Sequence, residues 1–244
     1  MTPPLAIAMA RADAATAERL EAYLTAEERR ACASLRVAAR RAQSACARVA
    51  AKWLRLELAA GRSAPLVALD AASLAAHPRA RYLGCTVSGP GPLPPRFDDR
   101  SFEISLSHAG EIAAAAVSAA GAVGVDVERV EERAASFAEE HFTPREREEL
   151  ARAVRAGARR AALETLLWSA KEALYKTGAL ALPARFSLQE IEVGLSLGGA
   201  RFVLPSVRAF ALTARGARFF GRAVLTETFA LVAAVAAPPD AALG

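Results

Sequence analysis

The sequence predicts an α+β protein made of two similar units. Three observations carry that reading: two matching helix-start signatures far apart in the chain, further segments repeated at almost the same offset, and short strand-forming runs bounded by turn signals.

Thr25-Ala26-Glu27-Glu28 follows Leu24 and opens a charged and apolar run. It is a capping box, in which threonine and glutamate each satisfy a backbone N–H at the helix start. Thr143-Pro144-Arg145-Glu146 is a second box 118 residues on, with proline at the first helical position. Each box begins a helical region ending near a glycine. Ala39-Arg40-Arg41-Ala42 recurs as Ala158-Arg159-Arg160-Ala161, and Ala51-Lys52 as Ala170-Lys171, both at an offset of 119. Leu106-Ser107 followed by Ile112-Ala113 resembles Leu225-Thr226 followed by Leu231-Val232, again at 119. A single match between alanine-rich helices arises by chance, whereas a constant offset over four segments indicates a duplication. The expected units are 1–120 and 121–244, each a helix pair with a few strands.

Strands are expected at Phe102–Leu106, and at Ile112–Val117 and Ala122–Val127, joined through Ser118-Ala119-Ala120-Gly121. The late runs Ala209–Thr213, Arg218–Leu225 and Phe229–Ala236 complete the set. Ala113 to Ala116 favours helix by propensity alone, and the flanking turn signals favour strand. Ser88-Gly89-Pro90-Gly91-Pro92-Leu93-Pro94-Pro95 reads as a stiff loop between the first helices and these strands.

With 244 residues, 53% hydrophobic and 23% charged, the chain has apolar surface for a sizeable core, which argues against disorder and fibrous repeats. The formal charge of +5 is a mild excess that suits acidic or phosphorylated partners without calling for nucleic acid. Cys32, Cys46 and Cys85 cannot all pair and lack zinc-site spacing, which fits a reducing, cytoplasmic setting. The longest nearly uncharged runs, such as Phe229 to Pro239, are about half the roughly 20 residues that span a bilayer, and Met1 to Ala10 lacks a basic leader. No membrane or export segment is expected.

Val123-Gly124-Val125-Asp126-Val127-Glu128 is the most informative strand. Side chains alternate along it, so Asp126 and Glu128 share one face while Val125 and Val127 enter the core. Neighbouring carboxylates repel unless a cation or a proton lies between them, and a purely oxygen ligand set suits magnesium. The alternative is an exposed strand end with solvated acids. In Leu167-Trp168-Ser169-Ala170-Lys171-Glu172-Ala173-Leu174-Tyr175-Lys176 a helical spacing aligns Trp168, Glu172 and Lys176, with Lys171 and Tyr175 beside them. An ordinary surface Glu–Lys pair is the bland account, but a solvated stripe seldom carries tryptophan. Glu172 would add a third carboxylate to Asp126 and Glu128, and Lys176 would meet a phosphate bridging the metal. Ser107-His108-Ala109-Gly110 ends a strand in a geometry open to an anion, against the reading of His108 as structural. His77 and His141 have no such context.

Ser107-His108, Gly124-Val125-Asp126-Val127-Glu128 and Trp168-Ser169-Ala170-Lys171-Glu172-Ala173-Leu174-Tyr175-Lys176, in this order and at these separations, resemble the three signature motifs of the Sfp-type 4′-phosphopantetheinyl transferases. The resemblance implies a monomeric α+β enzyme of two subdomains related by pseudo-twofold symmetry. Such an enzyme moves the phosphopantetheine arm of coenzyme A to a serine of an apo acyl or peptidyl carrier protein and releases 3′,5′-ADP. It further implies that Asp126, Glu128 and Glu172 bind magnesium, with manganese as the other candidate. Glu172 would be the general base, Lys176 would lie against the pyrophosphate, and Ser107, His108 and Lys171 would contact phosphates. Only the second unit carries the carboxylates, since Trp53 stands at the mate of Glu172.

The chain also departs from that family. Ser105 replaces an asparagine, Gly89-Pro90-Gly91-Pro92 replaces a Gly-Lys-Pro segment, and Glu28, Ala31 and Gln43 stand at basic positions, which leaves Arg40, Arg41 and Arg48 as substitutes. Two other readings fit the same residues: a carrier-binding module without chemistry, and a magnesium-dependent nucleotide phosphohydrolase with water as acceptor.

Overall fold

Residues 5–62, 66–70, 84–88, 94–180, 182, 186–194 and 206–237 are described by the computed structural model. Residues 89–93 of the expected proline-rich loop, and His77, lie outside the described residues. The order is β1 (Leu5–Arg11), α1 (Ala14–Leu20), α2 (Ala26–Ala33), α3 (Ala38–Ala59), β2 (Val67–Leu69), β3 (Glu103–Ala109) and β4 (Ile112–Ser118). The chain continues with β5 (Val123–Arg129), α4 (Phe137–His141), α5 (Pro144–Arg155), α6 (Arg160–Lys176), β6 (Ser206–Ala214), β7 (Ala217–Leu225) and β8 (Phe229–Ala236).

Both capping boxes form. The Thr25 hydroxyl accepts from the Glu28 N–H while the Thr25 N–H donates to Glu28, and Thr143 and Glu146 repeat the exchange at the head of α5. Every expected strand is present, and β1 and β2 are additional to them. The described strands form two four-stranded sheets, ordered β2-β1-β4-β3 and β5-β8-β7-β6. The link at Ser118-Ala119-Ala120-Gly121 carries the chain from one sheet into the other, because β4 pairs with β1 and β3 while β5 pairs with β8.

The repeat holds for three strands of each sheet, β1, β3 and β4 recurring as β5, β7 and β8, while β2 on the β1 edge and β6 on the β7 edge have no counterparts among the described residues. β5 begins 118 residues after β1, and β8 lies between β5 and β7 as β4 lies between β1 and β3. Helices α1 to α3 pack on the first sheet through residues such as Leu20, Val49 and Leu54 against Ala6, Ala8 and Val117. Helices α4 to α6 pack on the second through Phe142, Leu167 and Leu174 against Val232 and Ala234. A third core joins the two sheets, with Ile7, Ala114 and Ala116 meeting Val125, Val127, Leu231 and Ala233. The α+β architecture of two similar units is the one the sequence predicts.

The duplication extends to a buried ion pair. Lys52 lies 2.5 Å from Glu28 Oε2, and Lys171 lies 2.7 Å from Glu146 Oε2, with both ammonium groups fully buried. In each unit the other oxygen of the capping glutamate accepts a backbone N–H, from Val87 at 2.9 Å and from Val193 at 2.7 Å. Each lysine also donates to carbonyls, Lys52 to Tyr23 and Lys171 to Leu188 and Ile191. Saturated in this way, a buried charge pair becomes tolerable in a low-dielectric interior. Among the described residues no helix is long and apolar enough to cross a membrane, and Cys32, Cys46 and Cys85 are free.

Candidate active site

Edge strand β3 of the first sheet runs beside edge strand β5 of the second, and serine side chains close the seam. The Val125 N–H donates to Ser105 Oγ at 3.0 Å, and the Val127 N–H donates to Ser107 Oγ at 3.2 Å. Edge N–H groups that would otherwise lack partners are thereby satisfied. Ser105, which departs from the family pattern, serves this seam.

On the other side of β5 lies α6. A Cβ at Gly124 would overlap the Ala173 carbonyl oxygen and come within 3.0 Å of the Thr177 nitrogen, so glycine here sets how closely the helix approaches. The two neighbours enclose Asp126, which is only 3% exposed. Its Oδ1 accepts from Ser107 Oγ at 3.1 Å and from Lys176 Nζ at 2.6 Å, and its Oδ2 accepts from Ser169 Oγ at 2.9 Å. The solvated strand end considered for these acids is therefore not what the fold builds.

Glu128 is half-buried one step along the same face. Burial, and after it the Asp126 charge, push its carboxyl above the ordinary range, while Arg133 and a hydrogen bond from Trp168 work against them. The Arg133 guanidinium sits over the rings of Phe137 at 4.4 Å and Trp168 at 5.9 Å, which fixes this end of the site. His141 packs there too, with ring centroids 4.9 Å from Trp168. Glu172 on α6 is also raised, first by burial, with Lys176 opposing and Asp126 adding to it. Asp126 is thus the common neighbour of both glutamates. Among the described residues no three His, Cys, Asp or Glu side chains are gathered closely enough to hold a metal ion. The three acids are neighbours that do not converge, and the Lys176 ammonium occupies one side of Asp126.

Across the seam, Arg40 Nη1 from α3 lies 2.7 Å from Nε2 and 2.9 Å from Nδ1 of His108. Burial, and next the Arg40 charge, lower the His108 pKa, so the ring prefers its neutral form beside this guanidinium. Of the three arginines proposed as substitutes, only Arg40 meets a predicted site residue. Arg41 donates to the Leu35 and Arg36 carbonyls, while Arg48 is buried against Ser44 and the Ser88 carbonyl.

One expectation requires correction. Lys171 does not face the site: its fully buried ammonium is held by Glu146 and two carbonyls, and burial depresses its pKa. Ser107 gives its hydroxyl proton to Asp126 and takes the Val127 N–H, which places it in both the seam and the carboxylate cluster. Lys176 is in the cluster but on Asp126 and Ser107, at 2.6 and 3.3 Å. Sequence reasoning gave no role to Ser169 or Arg133, because nothing in their local spacing reveals a partner on another element.

Residues 122–224 match the family model of the 4′-phosphopantetheinyl transferase superfamily. The matched segment begins just before β5 and ends in β7, so it contains Asp126, Glu128, Glu172 and Lys176. His108 and Arg40 reach it from the preceding part of the chain. Transferases of this superfamily move phosphopantetheine from coenzyme A to carrier proteins, generally with a divalent metal. No curated protein matches the chain.

Proposed function

We propose that the chain transfers the 4′-phosphopantetheine arm of coenzyme A to a serine hydroxyl of an apo acyl or peptidyl carrier protein, with magnesium, releasing 3′,5′-ADP. One observation carries the reading: two carboxyls raised by burial flank a third, buried carboxylate, with a lysine ammonium on that central group and an Arg–His pair across the seam.

The donor set is chemically suited to a hard divalent cation. Asp126, Glu128 and Glu172 offer oxygen only, and burial disfavours the charged forms of both glutamates, a cost that a bound cation would offset. These three residues would hold magnesium once their side chains close around it, since they do not converge in its absence. The bound ion would neutralise the diphosphate and polarise the phosphorus under attack.

The remaining work falls to the protein's own groups. Glu172, with its elevated proton affinity, accepts the proton of the carrier serine as Oγ forms its bond to the phosphorus that bears pantetheine. The bond from that phosphorus to the 3′,5′-ADP oxygen breaks, and the electron pair leaves with ADP. Lys176 releases Asp126 and turns its ammonium to the charge growing on the leaving phosphate. Arg40 and neutral His108 supply N–H groups to the nucleotide phosphates, taking the place of the basic residues missing at Glu28, Ala31 and Gln43.

Incubation with coenzyme A, magnesium and an apo carrier protein tests the proposal. A carrier heavier by one phosphopantetheine, with 3′,5′-ADP released in equal amount, is the expected result. Coenzyme A cleavage without a carrier would identify a phosphohydrolase, and carrier binding with no mass change would identify a silent module.

A further inference from the structure

We infer that Ser169 is the positioning residue that aims the Asp126 carboxylate, an inference that rests on the metal-site reading above. A serine inside a helix ordinarily returns its hydroxyl to a carbonyl one turn back, as Thr177 does to Leu174 nearby. Ser169 is fully buried in α6, yet its hydroxyl crosses to β5 and donates to Asp126 Oδ2 at 2.9 Å. Asp126 is thereby held at one oxygen from the helix side, and its other oxygen, Oδ1, is the one turned to Lys176 and Ser107. A carboxylate pinned at Oδ2 cannot rotate about its Cβ–Cγ bond to give both oxygens to Lys176, so Oδ1 stays turned to Lys176 and Ser107. Gly124 makes the bond geometrically available, because only its missing side chain lets α6 lie this close to β5.

The same helix provides a comparator. Thr165, one turn earlier, is also fully buried, and its hydroxyl has no hydrogen-bond partner. Removing that hydroxyl in Thr165→Val tests burial without the bond to Asp126.

The experiment titrates the full-length protein with Mn2+ in the absence of coenzyme A, reading free ion by electron paramagnetic resonance, with a thermal melt of each variant. Ser169→Ala is expected to weaken Mn2+ binding about 10- to 100-fold, the usual consequence of removing a partner that orients a metal ligand. Ser169→Cys, whose thiol is a weak donor, is expected to fall between wild type and Ser169→Ala. Thr165→Val is expected to bind as wild type does, with melting temperatures of all three close to that of the parent. Ser169→Ala binding as tightly as wild type, or Thr165→Val losing as much affinity, would overturn the positioning role. Wild type that takes up no Mn2+, or Asp126→Ala that binds equally well, would instead bring down the site reading and this role with it.

Discussion

Glu172 is raised by burial, with Lys176 opposing and Asp126 adding to the shift, so the folded chain holds its proton more tightly than the unfolded chain does. Stability from that proton is fully present below the ordinary value of 4.5 and is lost as pH rises through the elevated folded value. Glu172→Gln removes the charge that is hard to bury. It is therefore expected to melt higher than wild type at pH 7.5 without divalent metal, with the gain vanishing near pH 4, while transfer falls about 10²–10⁴-fold. A lower melting temperature at pH 7.5, or retained transfer, would contradict the account of this residue. Lys176 leads to a second expectation, since its ammonium sits where positive charge is needed on Asp126. Lys176→Met should leave Mn2+ binding without coenzyme A at least as tight as in wild type, while lowering transfer about 10²–10³-fold; calorimetry and the carrier assay read the two separately. Most of this cluster was legible in the sequence, because strand alternation and helical spacing fix which residues share a face. Those periodicities do not say what a face meets. Lys171, a phosphate contact only by family resemblance, turns inward to Glu146, and the bond from Ser169 to Asp126 was invisible for the same reason.

Among the elements, β5 and α6 depend on each other through Gly124, whose missing side chain makes room for the Ala173 carbonyl and the Thr177 nitrogen. Gly124→Ala forces the helix outward, an overpacking expected to cost about 1–3 kcal/mol or more in urea unfolding. Lifting α6 also separates Ser169 from Asp126, so Mn2+ affinity should fall together with stability. The same strand explains what was missed in the sequence. Val123–Arg129 declares itself through its valines, whereas β1, as Leu5-Ala6-Ile7-Ala8-Met9-Ala10-Arg11, has alanines where a strand usually shows β-branched residues. The offset of 118 carries β5 onto β1 residue for residue, so the duplication held the signal that local propensity lacked. Under that mapping Ala8 and Ala10 stand where Asp126 and Glu128 do, and both are buried under helices of the first unit. One unit keeps the carboxylates while the other contributes Arg40, His108 and the serines of the seam.

At the scale of the molecule, the question is whether the two halves unfold together. The inter-sheet core draws Ile7 and Ala114 from one and Val125 and Leu231 from the other, and the Ser105 and Ser107 bonds tie their edges. Unfolding either half strips apolar cover from the other and leaves β5 N–H groups without acceptors, which argues for one cooperative transition. The sequence supplies its own probes: of its two tryptophans, Trp53 lies in α3 and Trp168 in α6. Lys52→Met, in the first half, leaves the Glu28 carboxylate buried without its cation, a loss expected to cost about 3–5 kcal/mol. Introduced into Trp53→Phe and Trp168→Phe backgrounds, it makes each remaining tryptophan report one half. The expected outcome is that both signals move to lower urea by the same amount, although Trp168 is far along the chain from the altered pair. A shifted Trp53 transition beside an unmoved Trp168 transition would mean that the seam does not couple the halves. In that case the Arg40–His108 pair and the carboxylates would sit on two bodies free to part, and the site would need its substrate to bring them together.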